Sequence, residues 1–270
     1  MKKYILIFIF SFSFSLLFAQ VSGTPYLINP YEDLDTNFRV LGVIVETSTG
    51  AGLYPGGNAS TQYSNLDNKL EWLLNFGPFG AHQCISVDVS FTGHISSPQF
   101  HQWNDPGIGV DAYVMTDISY LLPDPANTGD ILNFIQVGGA AISFESYGDH
   151  NGLSTFFGLG QSTTGSDQGW TIVDSSHPIF DGPFGVVDSL NDDIWNGSFY
   201  TGLPAGFTIL AVDSQNRPTI VVNETSYTNG GKVLFVSDLV TIITNISGGN
   251  QIISDNEIFW ANLIAWAITD

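Results

Sequence analysis

The chain has 270 residues, with 6 Lys and Arg against 26 Asp and Glu, one Cys, 43% hydrophobic residues and 12% charged ones. A formal charge of −20 repels phosphate backbones and excludes nucleic-acid binding through a basic surface. One Cys excludes a disulfide scaffold and a Cys-rich metal site, and the apolar and aromatic content excludes a disordered acidic tail.

Residues 1–20 read MKKYILIFIFSFSFSLLFAQ. Lys2 and Lys3 precede an apolar run, and Ala19 offers a small residue before a cut. This pattern predicts a cleaved secretory signal over 1–19 and a secreted or periplasmic product. The alternative is an N-terminal anchor, for which the run is short. Cleavage leaves Arg39, Lys69, Arg217 and Lys232 as the only Lys and Arg. No later stretch is long and apolar enough to span a bilayer. Residues 20–37 read as an irregular lead-in, and 38–270 as a single domain.

Within that domain, Val40–Val45 is a continuous apolar run, as expected of a strand buried on both faces. Ser64 with Asp67 predicts a capped helix carrying Leu66, Leu70, Leu73 and Leu74, stopped by Gly77-Pro78. Ile85–Val89 and Asp111–Met115 read as strands. Thr128 is the expected cap of a helix bearing Ile131, Leu132, Phe134 and Ile135, ended by Gly138-Gly139. Ala140–Phe144 re-enters the sheet, and a short helix follows at Leu153–Phe157. Phe207–Val212 and Thr219–Val222 form a hairpin around Asp213–Asn216. Lys232–Val236 is another buried strand, and Ser254 with Glu257 caps a closing helix. Strand–helix alternation predicts parallel strands with helices on both faces, and the hairpin makes the sheet mixed.

Three stretches carry a resemblance. Asp111–Met115 leads to a helix and then Val137-Gly138-Gly139-Ala140-Ala141-Ile142; His177-Pro178-Ile179-Phe180 forms an HPI loop; and Gly230–Asp238 precedes Asp255-Asn256 and Asn262-Leu263. In this order they resemble the class I glutamine amidotransferase-like superfamily, in its non-catalytic ThuA-like branch. The resemblance covers about residues 38–268. It implies an α/β, flavodoxin-like three-layer sandwich with a mostly parallel central sheet, and the β-hairpin is an insertion in the C-terminal half. It also places any chemistry at the carboxyl ends of the strands.

The family's enzymes hold a Cys in a tight turn after the strand matching Ala140–Phe144. Here that position carries Ser146, within Phe144-Glu145-Ser146-Tyr147-Gly148-Asp149-His150. A strained turn can expose a Ser hydroxyl, but Ser is a poor nucleophile without a base. Where the family supplies a His, this chain reads Ser237-Asp238, and no His follows His177. Ser146 with His150 or His177 as base, and Glu145 or Asp149 as orienter, is the catalytic arrangement left open. Glutaminase activity is not expected. Cys84, at the start of a strand, reads as a small buried hydrophobe.

Other patterns are weaker. Asp33-Leu34-Asp35-Thr36-Asn37 begins like a calcium loop but has Phe38 and Ile44 where Gly and Glu are needed. Glu145, Asp149, His150 and His177 would suit zinc or manganese, yet no His pair shows ligand spacing. His82 and Cys84 alternate onto one face, and two ligands do not make a site. No metal and no cofactor are expected. Trp195–Tyr200 is a loop dense in aromatics beside Asn and Ser, suited to stacking a sugar ring, although most Trp residues pack in cores. The Asn-x-Ser/Thr triplets at Asn58, Asn196, Asn223 and Asn245 carry no function in so Asn- and Ser-rich a chain.

The leading expectation is therefore a secreted or periplasmic, non-catalytic binding or interaction module for a carbohydrate, another polar ligand or a protein. Its ligand face comprises Glu145, Ser146, Asp149, His150, His177 and Asp238. The alternatives are a serine hydrolase with Ser146 as nucleophile, and a structural surface or matrix component. The oligomeric state is not legible.

Overall fold

A computed structural model of the chain describes residues 41–46, 59–84, 86–92, 110–116, 125–145, 153–163, 169–190, 198–227, 229–237 and 246–269. All of them belong to one compact unit, Val40–Asp270. The strands are β1 (Leu41–Glu46), β2 (Val87–Thr92), β3 (Val110–Thr116), β4 (Ala140–Phe144), β5 (Gly160–Thr163), β6 (Trp170–Ile172), β7 (Asp181–Gly182), β8 (Gly185–Val186), β9 (Ser198–Thr201), β10 (Thr208–Asp213), β11 (Pro218–Asn223) and β12 (Lys232–Val236). The helices are α1 (Ala59–Leu70), α2 (Pro125–Gln136), α3 (Leu153–Phe156) and α4 (Asp255–Ile268).

Eight strands form one mixed sheet in the order β2-β1-β3-β4-β12-β11-β10-β6. The first five are parallel. The last three join antiparallel, through the β10–β11 hairpin and the short edge strand β6. The chain is thus α/β with a mixed sheet.

Side chains alternate across the sheet as strand geometry requires. Ala112, Val114, Ile142, Phe144, Leu234 and Val236 pack on one face with Leu66 and Leu70 of α1 and most of α4. Tyr113, Met115, Ala141, Val233 and Phe235 pack on the other with Ile131, Phe134 and Ile135 of α2 and Leu153 of α3. Two cores back one sheet, which is why β4 and β12 are apolar at nearly every position.

β4 and β12 have the bounds expected from sequence, and the closing helix carries its capping box of Ser254 and Glu257. Two helix starts differ. α1 begins at Ala59, so Ser64 lies inside it and is not its cap. It ends at Leu70, because the Asn75 amide donates to the Lys69 carbonyl at 2.8 Å and draws it out of the helical ladder. Leu73 and Leu74 are consequently more than half exposed. Gly77-Pro78 forms a turn closed by Gly80 N–H on the Gly77 carbonyl at 3.0 Å. α2 begins at Pro125, whose φ is already helical, and Thr128 lies within it. β2 starts two residues later than its apolar alternation suggests, in the register that matches all six residues of β1. The hairpin, the Gly138 turn (φ 111°) and the short helix α3 sit where the sequence places them.

Close approach of β12 to α2 depends on Gly231. A Cβ there would lie 1.7 Å from the Ile135 carbonyl oxygen, a backbone atom that cannot step aside. Gly231→Ala is expected to cost about 1–3 kcal/mol through overpacking, read as a lowered midpoint in urea unfolding.

Candidate functional site

Glu145 follows β4 directly, at the carboxyl end of the parallel strands. Its N–H continues the ladder onto the Val236 carbonyl of β12 at 2.8 Å. Its carboxylate is 5% exposed and faces the α2–α3 side. Oε1 accepts from Ser143 Oγ at 3.1 Å and from the Ser154 N–H of α3 at 2.8 Å, and Oε2 accepts from Ser154 Oγ. The Gln161 amide of β5 donates to the Glu145 carbonyl at 2.8 Å. Glu145 thus fastens together the two ends of the connection 146–152. Burial pushes its carboxyl above the ordinary range, and the hydrogen bonds from Ser154 and Ser143 pull it back only in part.

The same end and face gather further polar groups. Period-two alternation puts Ser237, just past β12, on the face of Val233 and Phe235. Thr219 of β11 stands opposite it, its carbonyl accepting the Ser237 N–H at 2.9 Å. Ser198 of β9 donates its hydroxyl to the Ser237 carbonyl. Ser143, Ser154, Thr219 and Ser237 are all fully buried. Ser143 and Ser154 are the described hydroxyls that rest on a carboxylate here, and no substrate reaches either of them at 0% exposure. Sequence reasoning missed this set. Its signal was Ser143, the one polar residue in an apolar strand.

His177 lies elsewhere. β6 runs antiparallel to β10 and returns the chain to the amino end of the parallel strands. There His177 Nε2 stands 3.5 Å from Glu224 Oε2, an ion-pair distance too long and poorly aligned to satisfy Nε2 as a hydrogen bond. Its Nδ1 accepts a long bond from Ile179 N–H at 3.4 Å, so the imidazole caps its own HPIF loop. Glu224 also accepts from Trp266 Nε1 at 2.5 Å, and Lys232 donates to the Trp266 carbonyl at 2.8 Å. The His177 contact leads the causes that hold the Glu224 carboxyl below its ordinary range, against the opposing effect of burial.

Asn223 pairs with Val233, and Glu145 with Val236, so His177 and Glu145 flank opposite ends of β12. Five strand residues span roughly 13 Å. The two side chains expected to share one ligand face do not meet. Ser146, Asp149, His150 and Asp238, like residues 191–197 with Trp195, lie outside the described residues. Cys84 is 1% exposed and packs in the apolar core. His82 packs against Phe76 with ring centroids 5.5 Å apart and planes tilted by 53°, and burial lowers its pKa. Among the described residues, no three His, Cys, Asp or Glu side chains gather as a metal site, and no helix is long and apolar enough to cross a membrane.

No family model and no curated protein matches the chain. Among solved structures, a cytoplasmic protein of Salmonella typhimurium aligns with 86% of this chain and 100% of its own, at 13% identity and a TM-score of 0.53. A ThuA-like protein of Bacteroides uniformis covers 84% of this chain and 91% of its own, at 10% identity and a TM-score of 0.48. A GMP synthase-type protein of Thermoplasma acidophilum covers 85% and 95%, at 12% identity and a TM-score of 0.47. The likeness to the Salmonella protein concerns the fold and carries no activity across.

Proposed function

We propose that this chain is an exported, non-catalytic binding module on an amidotransferase-like scaffold of flavodoxin-like type, related to the ThuA-like branch. The parallel strands run in the order β2-β1-β3-β4-β12, so that by rank along the chain they follow the doubly wound order in which ligands lie beyond the carboxyl ends of the strands. That end holds Glu145 and the buried hydroxyls around it. The observation that carries the non-catalytic reading is the position of His177. Of the two candidate bases, His150 and His177, it is the one among the described residues, and it flanks the end of β12 opposite to Glu145, the residue before Ser146. Glu145 is committed to its own fold by Ser143 and Ser154. A fixed, water-poor set of hydroxyls and amides suits an uncharged polar ligand, and a carbohydrate is the ligand class that fits best.

A fluorophosphonate probe tests the absence of a reactive Ser. The expected result is no labelling of the purified chain. Labelling that disappears in Ser146→Ala would make the protein a serine hydrolase instead.

A further inference from the structure

Ser143, Ser154, Thr219 and Ser237 are sealed at the carboxyl end of the sheet, so a ligand arriving there meets the residues around them. β10 runs antiparallel to β11, and β11 to β12, so β10 points the same way as the parallel strands. Its last residue, Asp213, therefore lies at their carboxyl end, as does the turn 214–217 that leads into β11. The Thr219 carbonyl accepts the Ser237 N–H, and the Ser198 hydroxyl donates to the Ser237 carbonyl. Arg217 is two residues from Thr219, and Phe199 is the neighbour of Ser198.

Arg217 and Phe199 meet. The guanidinium carbon stands 4.2 Å from the centre of the Phe199 ring. Asp213 fixes the same group from the side. Its Oδ1 accepts from the Gln215 and Arg217 N–H groups, each at 2.9 Å, which closes the turn. Its Oδ2 accepts from Arg217 Nε at 2.6 Å. Nη2 stands 2.6 Å from that oxygen, buried and out of line for a hydrogen bond. No described residue accepts from Nη1. The Arg217 side chain is 23% exposed, against 2% for Asp213, so a ligand can reach it.

Fastening the turn takes one donor for Oδ2, and a lysine would supply that. An arginine laid on a ring supplies a planar fork, held in place before any ligand arrives and with donors to spare. A guanidinium has no acceptor, so its free edge reads an oxygen. Asp213 cancels its charge locally, and the formal charge of −20 repels anions from the whole chain. Lys69 is 1% exposed and paired with Glu257, and Lys232 donates to the Trp266 and Thr269 carbonyls at the other end of β12. Neither shares the role.

We infer that Arg217, stacked on Phe199 and fixed by Asp213, donates to a hydroxyl or ring oxygen of a neutral sugar at the carboxyl end of the sheet. The inference rests on the reading of this end as the ligand end, and it names the contact that holds the ligand there.

The chain has two arginines, Arg39 and Arg217, so Arg217→Lys assigns their Nε–H signals in NMR spectra of the isotope-labelled chain. Wild type, Arg217→Lys and Phe199→Leu are titrated with D-glucose, D-mannose, N-acetyl-D-glucosamine and D-glucuronate, with affinity read from the backbone amides. Arg217→Lys keeps a cation for Asp213 and should fold, which a thermal melt checks. A neutral sugar is expected to move the Arg217 Nε–H signal saturably. Its affinity should fall about tenfold in Arg217→Lys and about threefold in Phe199→Leu. Should Arg217→Lys not fold, the wild-type Arg217 signal and Phe199→Leu decide the matter. A neutral sugar that binds wild type and both variants equally, with the Arg217 signal unmoved, removes this contact and leaves the binding module standing. D-glucuronate that binds more tightly than every neutral sugar overturns the neutral ligand. If none of the four binds wild type, this contact and the carbohydrate reading fall together.

Discussion

Lys69→Met is expected to destabilise the protein by about 3–5 kcal/mol, the usual result of stripping one partner from a buried ion pair. Lys69 and Glu257 are 3.3 Å apart, with side chains 1% and 0% exposed. Lys69 Nζ also donates to Ser247 Oγ at 3.3 Å and to the Gln251 carbonyl. Glu257 accepts from Ser247 N–H at 2.7 Å, Ser247 Oγ at 2.6 Å and Ile253 N–H at 2.7 Å, besides its capping bond to Ser254 N–H. Two side chains thus hold α1, the 247–254 connection and the start of α4 in one network. Loss of the ammonium strands a carboxylate away from water, and the midpoint should fall on the order of 10 °C. Adding Glu257→Gln should recover part of the loss, because no charge is then left buried. A cost below about 1 kcal/mol for Lys69→Met in urea unfolding would show that the pair is not a stabilising contact.

The pH dependence of this pair has a definite sign. Burial alone would raise the Glu257 carboxyl, but the hydrogen bonds from Ser247, Ile253 and Ser254 outweigh it and hold the pKa below its ordinary value. The folded state therefore releases this proton more readily than the unfolded state. The contribution is complete above the ordinary Glu range and is lost as pH falls through the depressed folded value.

Strands buried on both faces were the most legible part of the chain. Ala140–Phe144 and Lys232–Val236 are mostly apolar runs, each preceded by Gly-Gly and followed by a polar residue, and local composition alone delimits them. The α4 start was equally legible, since a capping box is a four-residue pattern. Helix starts at Ala59 and Pro125 were not, because Ser64 and Thr128 are good caps that the tertiary structure leaves unused. The Lys69–Glu257 network joins residues from opposite ends of the domain, and no window of sequence contains both. The candidate site was legible in its place but not in its membership. Glu145 could be picked out from its place directly after β4. Thr219 and Ser237 become its neighbours only through the β11–β12 pairing. His177 was grouped with Glu145 through a family motif, but the antiparallel course of β6 takes it to the opposite end of the sheet.

Glu145→Ala is expected to cost about 3 kcal/mol or more, because it leaves the Ser154 N–H, the Ser154 hydroxyl and the Ser143 hydroxyl buried without an acceptor. Glu145→Gln keeps an acceptor for the Ser154 N–H and an amide donor for its hydroxyl, so it should fold. The two forms differ in how they respond to pH. Burial raises the Glu145 pKa, so the folded state holds a proton that the unfolded state gives up. Stabilisation from this group is complete below the ordinary Glu range and declines as pH rises through the raised folded value. This is the reverse of Glu257. Urea unfolding between pH 5 and 8 (roughly the window above the unfolded Glu pKa) should show Glu145→Gln gaining on wild type as pH increases. A gap that stays constant over that window would mean that Glu145 ionises normally despite its burial. It would then act as a fixed negative charge at the ligand end, and a cationic ligand would replace the neutral one argued above.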